Sequence, residues 1–168
     1  MAKLIRSSTS YSRRQLDLES LQSMRQPSTS YEEVVPSATY DTPKIVAGIQ
    51  KLVQRYAILF TTVTGSDVMR PTDGTGLYGI IDSGNVGSTA SIKIMANRAN
   101  AMVKSRIRAD DDNEDVFGRQ PSDEKLDDCW ISRVSVDTTS RSVSVYASIR
   151  SVAGSEVEFI VPTSAGIY

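Results

Sequence analysis

Between residues 45 and 60, apolar side chains recur at Ile45, Val46, Ile49, Leu52, Val53, Tyr56, Ala57 and Phe60. Steps of three and four residues align them along one side of a helix, so this stretch must be covered by something. Pro43 suits a first helical position, where no backbone donor is needed, and Asp41 or Thr42 is the expected cap. The β-branched run Thr61, Thr62, Val63 and Thr64 weakens the helix, and Gly65 is expected to end it. A second set, Ile92, Met95, Ala96, Ala99, Met102, Val103 and Ile107, predicts another amphipathic helix from about 88 to 107, with Ser88 as its cap. The glycine-rich residues 65–87 between them read as irregular, with Leu77, Tyr78, Ile80 and Ile81 as an apolar patch.

After residue 128 the period changes from helix to strand. Residues 131–136 alternate in part. Residues 142–150 alternate clearly, with Val143, Val145, Ala147 and Ile149 on one side. Residues 156–161 follow, with Val157, Phe159 and Val161 on one side. Turns at 138–140 and 153–155 make this an antiparallel meander. The expected fold class is α+β: two amphipathic helices packed on a small antiparallel C-terminal sheet, with an extended N-terminal arm.

The arm is residues 1–41 and the domain is 42–168. The arm is rich in Ser and Thr, and too little of it is apolar for it to fold alone. It reads either as a disordered tail or as a segment ordered along a partner, in which case Tyr11, Tyr31 and Tyr40 are its anchors. Residues 109–128 carry nine acids and read as a solvated loop. They lack the glycine and the spacing of a calcium-binding loop.

The 168 residues include no histidine and one cysteine. That removes Ser-His-Asp and Cys-His catalysis, Cys/His metal sites and intrachain disulfides. Cys129 lies among Asp127, Asp128 and Trp130, where carboxylates raise a thiol pKa, so it reads as structural. The Gly74-Thr75-Gly76 run lacks the phosphate-loop pattern and follows a helix rather than a strand. No catalytic residue, cofactor site or metal site is assigned. A net charge of −1 offers no basic field for nucleic acid. No apolar run reaches the length of a membrane span, and the polar Ser7, Ser8 and Thr9 interrupt any signal-like N-terminus. The expectation is a soluble protein made in the cytoplasm.

The order of features across 44–82 resembles that of the small baseplate-wedge, or sheath-initiator, proteins of contractile phage tails. Related baseplate proteins of type VI secretion systems belong to the same family. An amphipathic helix runs into Thr61-Thr62-Val63-Thr64-Gly65, then Met69-Arg70-Pro71, then Gly74-Thr75-Gly76-Leu77. A second helix and a terminal set of strands follow, so the resemblance spans roughly 43–162. It departs from the family in lacking a Glu-Pro-Arg triplet before the first strand, where the acidic stretch intervenes. Some family members are labelled lysozyme-like, an activity this sequence does not support.

The resemblance implies a structural component of a contractile tail baseplate. Such a protein joins the wedge to the tube and sheath, and initiates sheath assembly by strand addition. Its implied partners are baseplate wedge proteins, the sheath subunit, and tube or hub proteins. Multiple copies in a symmetric assembly are implied, six being the expected number, with the virion as location after synthesis in the host cytoplasm. The strands bearing Val143, Val145, Ala147, Ile149, Val157, Phe159 and Val161 are the candidate partner-binding elements. Thr61, Thr62, Gly65, Met69, Pro71, Gly74, Gly76 and Leu77 are expected to act in folding, with Gly65, Gly74 and Gly76 taking backbone shapes closed to other residues. Arg70 either pairs with a partner's acid or lies in solvent. The alternatives are another virion protein, such as a tail terminator or head–tail connector, and a small carboxylate- or metal-dependent enzyme.

Overall fold

The structure, a computed structural model, describes residues 17–18, 21–25, 32–36, 45–82, 88–117, 120–137 and 142–164. Tyr11, Tyr31 and Tyr40 lie outside the described residues, as does the expected turn at 138–140. Four short strands come first: β1 (Asp17–Leu18), β2 (Leu21–Arg25), β3 (Glu32–Pro36) and β4 (Ile45–Val46). Helices α1 (Ile49–Thr61), α2 (Leu77–Asp82) and α3 (Thr89–Phe117) follow, then strands β5 (Leu126–Asp137), β6 (Ser142–Ser151) and β7 (Glu156–Ser164). The fold is α+β. β5, β6 and β7 form the antiparallel meander, and α1 and α3 cover it.

Helix α1 starts six residues after Pro43. Ile45 and Val46 are not helical; they pair with β1 instead. Gly48 is the N-cap, with φ at 66°, and it offers no side chain to the first turn. The missing acceptor comes from far along the chain. Glu124 Oε1 accepts the Gly48 N–H at 3.1 Å, and Glu124 Oε2 lies 3.2 Å from Lys51 Nζ. This replaces the expected Asp41 or Thr42 cap. A carboxylate at a helix N-terminus gains from both the free donors and the dipole.

At its other end α1 stops before Gly65. The Thr61 and Thr62 hydroxyls bond back to the Ala57 and Ile58 carbonyls at 2.8 and 2.7 Å, and Thr62 is extended. Such side-chain bonds compete with helix propagation.

Helix α3 begins as expected, with Ser88 Oγ accepting the Ser91 N–H at 3.2 Å. Its buried face is Ile92, Ala96, Ala99, Val103 and Ile107. Met102 was expected on that face but is 49% exposed. The helix also runs ten residues past Ile107 into the acidic stretch, which is therefore not a continuous loop. Among the described residues, two of its acids are interior. Asp111 pairs with Arg55 at 2.9 Å and accepts the Leu126 N–H at 3.0 Å, while Glu124 is 1% exposed. Buried carboxylates persist only when paired in this way.

The core joins Leu52, Tyr56 and Phe60 of α1 to the inner faces of α3, β6 and β7. One polar chain crosses it: Tyr56 Oη donates to Asn100 Oδ1 at 2.7 Å, and Asn100 Nδ2 donates to the Cys129 carbonyl at 3.1 Å. Each partner is satisfied, so the chain fixes α1, α3 and β5 to one another.

Candidate interaction surface

The strands expected to receive a partner occupy different positions in the sheet, whose order is β2-β3-β7-β6-β5. β6 is an interior strand, bonded on both sides, and has no free edge. Its Val143, Val145, Ala147 and Ile149 are core residues, as are Phe159 and Val161 of β7; Val157 is half-buried. These side chains therefore hold the domain together rather than recognise a partner. Alternation locates a buried face, but it does not tell an inner strand from an outer one.

β5 lies at one end of the sheet, but α3 closes the start of its edge. Asp111 takes the Leu126 N–H, Arg108 donates to the Asp127 carbonyl, and Asn100 donates to the Cys129 carbonyl. Those backbone groups are not available to an added strand. Two register shifts, between Leu126 and Asp128 and between Ile131 and Arg133, further break the edge. Bulges and helix cover are the usual protection of a sheet edge.

At the other side, the edge of β7 is occupied by the chain's own arm. β3 pairs with β7 in parallel through Glu32 with Phe159 and Glu33 with Ile160. β2 then adds antiparallel to β3 over five residue pairs. The arm-to-domain ladder is short beside the nine pairs that join β7 to β6.

The loop between α1 and α2 is the second feature of this surface. It is fastened throughout. The Thr75 N–H reaches the Thr62 carbonyl at 2.7 Å, and the Thr75 hydroxyl reaches the buried Phe60 carbonyl at 2.8 Å. Asp67 Oδ1 accepts the Met69 and Arg70 N–H groups at 2.9 and 3.3 Å. Gly65 and Gly74 have φ of 84° and 92° and need glycine; Gly76 has neither a positive φ nor a close neighbour, contrary to its expected role.

On this rigid base, Val68 is 90% exposed and Met69 88% exposed, the highest values for large apolar side chains among the described residues. Met69, expected to act in folding, has its side chain outside the core. Pro71 is also exposed, whereas Leu77 is buried as expected.

Two adjoining grooves lie beside the loop. One, of about 280 Å3, is lined by Ile58, Leu59, Asp67, Arg70, Asp73 and Asp110 among others. The other, of about 560 Å3, shares Leu59 and Asp73 and reaches Met102 on α3. The Arg106 Nε lies 2.9 Å from Asp73 Oδ1, but its N–H is not aligned on that oxygen, so the contact is an ion pair rather than a hydrogen bond. Arg70 reaches the same carboxyl only at 3.8 Å, with 60% of its side chain exposed.

Cys129 is buried, and burial pushes its thiol up to about 12, against the nearby lysine's pull. It is not a nucleophile at neutral pH. Among the described residues no group of three or more His, Cys, Asp or Glu could hold a metal ion, and no helix is long and apolar enough to cross a membrane. No family model matches the chain, and no curated protein or solved structure is significantly similar to it.

Proposed function

We propose that this chain is a structural component of a contractile phage tail baseplate, joining the wedge to the tube and sheath and initiating sheath assembly by strand addition. The observation that carries the reading is the β7 edge, which already takes a strand from outside the meander at Glu32 and Glu33. An extended segment of a sheath subunit that pairs along more of β7 makes more main-chain hydrogen bonds than β3 does, and displaces it. The buried side chains Val143, Val145, Ala147, Ile149, Phe159 and Val161 stay in the core throughout, so recognition rests on the backbone. The resemblance across 44–82 supplies the assembly; the strand-accepting edge supplies the means.

The test is to inactivate the gene in its phage and image the particles by electron microscopy. Baseplates bearing tubes without sheath are expected. Complete sheathed tails from the inactivated phage sink the proposal. Removing residues 156–168 is not an equivalent test, because Phe159 and Val161 belong to the core and their loss unfolds the domain.

A further inference from the structure

Every joint in the five-stranded sheet is antiparallel except the one between β3 and β7, which is parallel and holds two residue pairs. We infer that this joint is a slot: the incoming segment of the proposed sheath partner enters between β7 and β3, antiparallel to both. β3 then leaves β7 without leaving the sheet. The inference rests on the strand-accepting role proposed for β7, and adds how the strand is held and what it carries.

Two parallel neighbours are what remains when one antiparallel strand is taken from between them. Supplying that strand turns one parallel joint into two antiparallel ones, the slightly more stable pairing per residue. Each flank has length to spare. β3 pairs with β2 over five residues but with β7 over two, and β7 pairs with β6 over nine. Addition at β7 alone gives up the β3 bonds and leaves the incoming strand with an open edge, whereas insertion gives up the same bonds and closes both of its edges. Phe159 and Ile160 are buried and stay in place, so the movement falls on the β2–β3 hairpin, whose own ladder is untouched.

Register sets the chemistry of the incoming strand. Glu158 and Ile160 lie on one face of β7, and Glu33 stands beside Ile160 on that face. Arg25 is opposite Glu32, and Arg150 is opposite Glu156. Glu33 instead has Met24 and Ile160 as register partners, and Glu158 has Ser148. Neither therefore meets a cation across its own ladder. Glu158 is exposed and accepts the Ser132 hydroxyl. One inserted residue falls between Glu33 and Ile160, and the residue two positions along falls beside Glu158. Lys or Arg at these alternate positions gains opposite-charge cross-strand pairs, while Asp or Glu there is repelled.

Hydrogen exchange on the full chain, with and without the purified sheath subunit of the same phage, tests the slot. Amide exchange in β3 and in residues 156–161 of β7 should slow together, by roughly tenfold or more. Protection gained in β7 but lost in β3 overturns insertion and leaves simple edge addition standing. No change in either strand overturns insertion together with the strand-accepting role itself. Charge reversal gives a second readout. Glu158→Lys and Glu33→Lys should each weaken binding of the sheath subunit, by roughly fivefold, because both positions face the inserted strand. If β3 simply departs, Glu33→Lys leaves binding unchanged or tightens it, and that result overturns the slot.

Discussion

A methyl group added at position 74 would sit 2.4 Å from the Thr62 carbonyl oxygen, on a residue whose φ is 92°. The same carbonyl accepts the Thr75 N–H, so it cannot move away without opening the loop. Gly74→Ala should therefore destabilise the domain by about 3 kcal/mol, combining left-handed strain with overpacking. Gly76→Ala meets nothing within 4 Å and should be close to neutral. Urea unfolding of the two variants checks this, and equal midpoints would contradict it. Cys129 gives a residue-scale pH effect. Its thiol ionises near 9 in the unfolded chain and near 12 in the folded one, because burial disfavours the thiolate. A raised folded value means that its stabilising contribution is complete below pH 9 and is lost as pH climbs toward 12. Stability should fall across that window, less steeply for Cys129→Ala, whose lower baseline reflects the lost side chain. The native thiol should also resist alkylation at pH 8 until the chain unfolds, as a mass-spectrometric time course would reveal.

Helix α1 depends on a carboxylate 76 positions beyond its first residues. Removing Glu124 takes away the acceptor for Gly48 and leaves Lys51 nearly buried without that counter-charge. Glu124→Ala should cost about 3 kcal/mol, in the range for breaking a buried pair, whereas the exposed Asp112→Asn should change stability by about 0.5 kcal/mol or less. Chemical denaturation distinguishes them; a similar small loss at both positions would mean that the interior pair does not hold the helix. The contrast shows where the sequence was readable. Ile92, Ala96, Ala99, Val103 and Ile107 were legible as a buried face because helical periodicity is local. The alternation of β6 was legible for the same reason. The nine acids of 109–128 look alike in sequence, and which of them turns inward is decided by Lys51 and Arg55 on another element. The cap of α1 was hidden for that reason, and Gly48 gave no local sign of it.

At the scale of the whole molecule, the core lies within residues 52–161, and the arm strands touch the domain sheet through β7. Apolar pattern could identify the meander but not its neighbours, since strand order depends on which backbone groups remain free after the helices pack. The exposure of Val68 and Met69 was equally closed to pattern, because composition counts apolar residues without showing which way a fastened loop turns them. The division between a self-sufficient domain and an added arm leads to a further expectation. A chain lacking residues 1–41 should keep its fold, because it retains every residue of the core cluster. It loses the β3 ladder at Phe159 and Ile160, so amide exchange in β7 should quicken by roughly tenfold or more as its edge becomes open to solvent. β6, bonded on both sides by β5 and β7, should keep its protection. If a segment with strand-forming sequence from a sheath subunit is then added, protection should return to β7 alone, which separates pairing at the edge from general tightening. Unchanged β7 exchange after truncation would mean that the arm does not guard this edge, and the strand-accepting role would have to move elsewhere on the sheet.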